Sequence, residues 1–214
     1  MTSAYAKAAH TLFAAHVPEA AVDYCVQLYF QYRFRLTLRK NRVSKAGDFT
    51  WSEGKPVRIT VNDNLHPYTF LITYVHEVAH ADVHRQFGLK AEPHGQEWKR
   101  AFQRLLAPVL NENVFPQPLL SVLKTHMRDP MASSYADTKL TAVLRQYDPN
   151  AHLQLVLSQV PFGASFQFNG RWFRKGKLRR TRFECIELKT KHMYLVPVDA
   201  PVDQVIEAGA ESGH

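Results

Sequence analysis

Two histidines four positions apart, His76 and His80, enclose a glutamate in the run His76-Glu77-Val78-Ala79-His80. On a helix, residues at this spacing lie about 40° apart around the axis and one turn along it, so both imidazoles reach one ion. Neutral imidazole is a good zinc ligand, and zinc lowers the pKa of a bound water to about 7. Glu77 projects beside the pair and is placed to take a proton from that water rather than to bind the metal. The chemistry is hydrolysis at neutral pH. A solvated face of an ordinary amphipathic helix would show the same five residues, so their context decides.

Catalytic zinc sites take three protein ligands and keep one position open. A histidine six residues beyond His80 is ruled out, because that position is Gln86. His94 lies fourteen residues after His80, in Pro93-His94-Gly95, where a chain reversing after Gly88 can return to the metal. Glu97 and Glu92 compete with it, since a carboxylate from a following helix also completes such a site. His84 sits a further turn, about 6 Å, along the same helix, too far to share the ion, and reads as a surface histidine. His66, His126, His152 and His192 show no ligand spacing.

The elements that must position these residues are legible from periodicity. Residues 68–87 carry Phe70, Leu71, Tyr74, Val75, Val78 and Ala79 on one broad helical face, and Gly88 supplies a stop. A second helix is expected over 95–106 through Trp98, Phe102, Leu105 and Leu106. Upstream, helical patterns cover part of residues 1–24 and residues 20–32. Phe34, Leu36 and Leu38 then alternate with polar neighbours as a strand. Turn chemistry at Ala46-Gly47-Asp48 and at 52–56 separates two further short strands, giving an expected three-stranded antiparallel sheet. Downstream, Pro108, Pro116 and Pro118 punctuate the chain. Residues 129–158 read as a linker with one short helix near 138–147. Residues 162–198 alternate as a β module with turns at Asn169-Gly170 and Lys175-Gly176, and residues 201–214 read as a disordered tail.

With 214 residues, 45% of them hydrophobic and 21% charged, the chain is an ordinary globular protein of α+β class, and its 27 Lys+Arg against 19 Asp+Glu favour acidic partners. Two cysteines, Cys25 and Cys185, provide neither a disulfide framework nor a paired-cysteine metal site, which fits a reducing, cytoplasmic setting. No run reaches the roughly 18 apolar residues of a membrane span. The N-terminal stretch, interrupted by His10, His16, Pro18 and Glu19, reads as an amphipathic helix rather than a leader.

From about residue 20 to 110 the sequence resembles the SprT-like metallopeptidases. The resemblance rests on His76-Glu77-Val78-Ala79-His80, the Val43-Ser44-Lys45-Ala46-Gly47-Asp48-Phe49 segment, Ile59-Thr60-Val61-Asn62, Leu65, and His94-Gly95 with Trp98. It implies a zincin-like domain over residues 1–128, one Zn2+ held by His76, His80 and His94, Glu77 as the catalytic base, and a protein or peptide substrate. Many members of the family carry a C-terminal zinc ribbon with two cysteine pairs. Here residues 159–200 have its β pattern but only Cys185, so a metal-free module is expected, with Phe166, Phe168, Trp172, Phe173, Phe183 and Tyr194 forming its core. Arg171, Arg174, Lys175, Lys177, Arg179, Arg180 and Arg182 crowd that module, and such density suits a phosphate backbone. A solvated hairpin that keeps the protein soluble would show the same residues, and resemblance to the DNA-linked branch of the family tips the expectation towards nucleic acid, with DNA as the partner it implies. Two rivals remain at this point: a nucleic-acid-binding or transcription-associated protein that keeps the zinc fold without peptidase activity, against which the intact Glu77 argues, and a zinc hydrolase of non-peptide amides.

Overall fold

The computed structural model describes residues 3–40, 46–131, 137–148, 155–168, 170–198, 200–202 and 204–206. The chain is mixed α and β and divides into two compact units, the first running to Tyr147 and the second beginning at Asp148.

In the first unit, α1 (Ser3–Ala14) and α2 (Val22–Tyr32) precede β1 (Arg35–Arg39), β2 (Gly47–Thr50) and β3 (Arg58–Asn62). Helices α3 (Pro67–Phe87), α4 (Gln96–Leu106), α5 (Gln117–His126) and α6 (Thr138–Arg145) follow. The longest, α3, buries residues on nearly every side: Phe70, Leu71 and Val75, but also Ile72, Ala79 and Val83. That is the pattern of a central helix wrapped by its neighbours rather than one lying on a surface. His66 caps its start, accepting from the Tyr68 N–H at 3.3 Å with Pro67 in the first turn, and Gly88 at φ 61° ends it.

Side chains then lock neighbouring helices onto α3. The Tyr74 hydroxyl donates to the Cys25 carbonyl at 3.0 Å, tying α3 to α2. Asp82, 2% exposed, accepts from the Tyr32 hydroxyl at 2.9 Å, Gln86 Nε2 at 2.7 Å and Arg104 Nη2 at 2.5 Å. A buried carboxylate is tolerated only when paired and hydrogen-bonded in this way, and the network fixes α2 and α4 against the C-terminal half of α3.

The sheet has three strands in the order β1-β3-β2, but it is not the antiparallel sheet expected. β1 pairs with β3 in parallel, Leu36 opposite Ile59 and Leu38 opposite Val61, while β2 pairs antiparallel, Phe49 opposite Ile59. Alternation has the same period in parallel and antiparallel strands and does not report neighbours. What decides is burial: Ile59, Thr60, Val61 and Asn62 are all buried, so β3 takes the centre and β1 and β2 take the edges. Gly47 and Asp48, read as turn residues, lie within β2.

Helix α5 was not anticipated among the prolines; Pro118 occupies its first turn, where a missing N–H costs nothing. Helix α6, expected inside a linker, packs into the first unit, with Leu140 at 0% and Leu144 at 7% exposure in its core. His126 Nδ1 lies 2.9 Å from Asp137 Oδ2, and Asp137 Oδ1 caps α6 by accepting from Lys139 N and Leu140 N.

The second unit is a five-stranded antiparallel sheet in the order β7-β6-β5-β4-β8, built from β4 (Ser165–Phe168), β5 (Arg171–Arg179), β6 (Arg182–Glu187), β7 (Met193–Pro197) and β8 (Val205–Ile206). Phe166 and Phe173 stack at 5.8 Å in a core shared with Cys185, Val196 and Val202. Lys175-Gly176 is not a turn but the site of a register shift within β5. A Cβ at Gly176 would stand 2.6 Å from the Glu184 carbonyl, so a close strand approach demands the glycine. The chain reverses instead at Arg180, whose φ is 57°. Residues 201–202 and 204–206, within the expected disordered tail, are placed: Val202 is buried, Val205 and Ile206 pair with β4, and residues 203 and 207–214 lie outside those described.

If α6 is part of the first unit's core, Leu140→Ala should destabilise that unit by about 2–5 kcal/mol, as for other fully buried leucines. Denaturant unfolding followed by the fluorescence of Trp98, in the same core, measures it.

Candidate metal centre

Helix α3 presents His76 and His80 on one flank, and the chain returns to them through a tight turn. Gly95 N–H donates to the Glu92 carbonyl at 2.9 Å, so Pro93 and His94 are the two central turn residues. Proline suits the first of these, whereas the second needs positive φ, and His94 adopts 59°. A non-glycine residue there is uncommon and costs of order 1 kcal/mol, which makes the conformation a pointer to function.

The turn brings three ring nitrogens together. His76 Nε2 and His80 Nε2 are 3.2 Å apart, His80 and His94 3.0 Å, and His94 and His76 3.2 Å. Each neutral imidazole nitrogen is either a donor or an acceptor, and three mutually adjacent nitrogens cannot alternate those roles around a triangle. At least one pair faces like against like. A cation among them removes the conflict. Three corners of a tetrahedron around zinc, at Zn–N of about 2.0–2.1 Å, lie about 3.3 Å apart, close to the triangle found. Among the described residues these three histidines are the one group of His, Cys, Asp or Glu side chains arranged to hold a metal ion. Glu97, Glu92 and His84 are not in it, and among the described residues of the second unit there is no second cluster.

The rings are kept neutral by their surroundings. Burial pushes His76 down to about 2, with the neighbouring His80, His94 and His126 adding to the effect, and pushes His80 down to about 4, helped by His94. Burial also lowers His94. The floor is Trp98, fully buried on α4, its ring 4.6 Å from His76, 4.7 Å from His94 and 5.5 Å from His80. Its Nε1 donates to the His76 carbonyl at 3.4 Å, and Phe102 stacks behind it at 5.1 Å. The sequence marks Trp98 as a helix-burial residue and as part of the family resemblance; its packing against all three imidazoles needed the tertiary structure. On the other side Phe49 of β2 stacks on His80 at 6.0 Å, while His84 packs against Phe49 and Trp51 at 5.7 and 4.8 Å. Glu77, next to His76 in the chain, is 6% exposed.

Residues 19–115 match the SprT-like family. The SprT-like segment takes in α2 to α4, the whole three-stranded sheet and all three clustered histidines. No curated protein and no solved structure matches the chain. No helix of the described residues is long and apolar enough to cross a membrane.

Beyond the SprT-like segment, the basic residues of the second unit do not act as one patch. Lys175 is buried at 5% exposure, donates to the Val160 carbonyl at 2.5 Å and sits 3.8 Å over the Phe183 ring. It is therefore withdrawn from the expected nucleic-acid face. Arg171 lies over Phe173 and Tyr194 and pairs with Glu187 at 3.6 Å, and Arg179 pairs with Glu184 at 2.7 Å. Arg174, Lys177, Arg180 and Arg182 are exposed.

A histidine whose folded pKa lies below its unfolded value of about 6.5 gains a proton on unfolding, so its contribution to stability is full above that pH and is lost as pH falls towards the folded value. Metal-stripped protein should accordingly show a thermal midpoint that declines as pH drops from about 6.5 towards 4. Replacing His76 by Gln should flatten that decline, and scanning calorimetry in chelator across this range reads both.

Proposed function

We propose that this chain is a zinc-dependent metallopeptidase with a zincin-like first unit, in which His76, His80 and His94 hold one Zn2+ and Glu77 is the general base. The observation that carries the reading is the triangle of Nε2 atoms at 3.0 to 3.2 Å, beside a buried glutamate on the same helix. Bound zinc would supply Lewis acidity, polarising the scissile carbonyl and making a water acidic enough to attack at neutral pH. Glu77 accepts the proton of the attacking water and delivers it to the leaving amine. The three histidines, held neutral by burial, keep their lone pairs available, and Trp98 limits how far the rings can swing.

The substrate class is protein or peptide, and the exposed Arg174, Lys177, Arg180 and Arg182 support nucleic acid as a partner that brings DNA-associated proteins to the site. We read the second unit as the counterpart of the family's zinc ribbon, with Cys185 as its one cysteine. The rival in which the protein binds nucleic acid and cuts nothing would not need a glutamate beside the first metal-binding histidine.

Glu77→Gln preserves shape but cannot accept the water proton. The variant should retain about one zinc per chain by elemental analysis and lose at least about a hundredfold in casein hydrolysis, assayed with and without single- and double-stranded DNA. Retention of activity in material free of contaminating protease would remove Glu77 from the mechanism.

A further inference from the structure

Gly47 opens strand β2, at a position where glycine has no conformational reason to be. Its φ is not in the positive region, and a glycine in a strand often marks a place where another group must come close. β2 is an edge strand, and residues 47 and 49 share the face turned to α3, as the period of two requires, with Trp51 just past the strand's end. Along that row Phe49 covers His80 and His84, and Trp51 covers His84. Only opposite Glu77 is there no side chain. A Cβ on Gly47 would stand 2.5 Å from Glu77 Oε1, 2.9 Å from Glu77 Cγ and 2.6 Å from Thr73 Cγ2.

We propose that Gly47 is a positioning residue for Glu77: the bare backbone of β2 is the wall against which the Glu77 carboxylate rests, and this contact sets where the carboxylate stands relative to the three histidines. The inference rests on the reading of Glu77 as the general base. A glutamate has three side-chain torsions, and proton transfer requires its oxygen within hydrogen-bond reach of the attacking water. Burial alone does not select one rotamer. A wall on one flank removes the rotamers that lean towards β2. A methyl group at Gly47 cannot be accommodated at 2.5 Å and must displace Glu77, Thr73 or the strand.

The test separates these. Gly47→Ala should leave bound zinc and KM close to wild type and lower kcat by at least about tenfold, as expected for an ångström-scale misplacement of a catalytic group. Thr73→Ser deletes the second contact, the Cγ2 methyl. Added to Gly47→Ala it should recover part of any loss in Tm but not kcat. In a Glu77→Ala background, Gly47→Ala should lower Tm much less than it does in wild type, a readout independent of activity. A crystal structure of Gly47→Ala should show the Glu77 carboxylate turned from its wild-type position with His76, His80 and His94 unmoved. Recovery of kcat together with Tm in the Thr73→Ser double variant, or an unmoved carboxylate, would overturn the proposal. Should wild type cleave no peptide at all, the peptidase reading fails, while the Tm cycle and the crystal structure still decide whether Gly47 positions Glu77.

Discussion

Three imidazole nitrogens held about 3 Å from one another form an arrangement that neutral rings cannot satisfy among themselves, and the first unit is built to hold them there. Two come from one helix and cost little to bring together, being one turn apart. The third requires a reversal after Gly88 and a turn in which His94 takes a left-handed conformation usually left to glycine or asparagine. The surrounding packing makes that geometry stable. α3 is enclosed on nearly all sides, Asp82 clamps α2 and α4 to it, and Trp98 fills the space beneath the rings so that none can relax away from the others. Burial then favours the neutral, ligand-competent form of each ring.

Much of the site was legible in the sequence because local rules determine it. The His76–His80 spacing is a property of the α-helix, and the Pro93-His94-Gly95 turn has its chemistry written in three residues. The choice of His94 over Glu97 or Glu92 was less secure, since only the tertiary return of the chain shows which side chain arrives. Sheet topology was misread for a related reason. Alternation reveals which residues face the core, yet the order β1-β3-β2 depends on which strand is most buried, a comparison across the whole unit. Gly47 illustrates the limit: a glycine beside Asp48 has the local signature of a turn, and only the tertiary structure shows Glu77 and Thr73 standing where its side chain would be.

In the second unit the sequence was right about Phe166 and Phe173, but Phe168, Phe183 and Tyr194 are only partly buried, Trp172 lies outside the core cluster, and the expectation was too generous about charge. Phe166 and Phe173 form the core as their alternation implies. The run of basic residues, however, divides by strand face. Lys175 turns inward to carbonyl oxygens and an aromatic ring, Arg171 and Arg179 engage glutamates, and the remaining cations stay exposed. Density of Lys and Arg in a sequence counts charges without saying which are already spent within the fold, so the surface available to a polyanion is smaller than the seven residues suggest.

The central claim is that the triangle of imidazoles is a zinc site with one coordination position left open. X-ray absorption at the zinc edge, on protein purified without added metal, tests this most directly. The account predicts four-coordinate zinc with three imidazole nitrogens at about 2.0–2.1 Å and one oxygen at about the same distance. A sulfur scatterer at about 2.3 Å, a coordination shell made of oxygens alone, or an edge signal unchanged when His76, His80 and His94 are replaced together would contradict it.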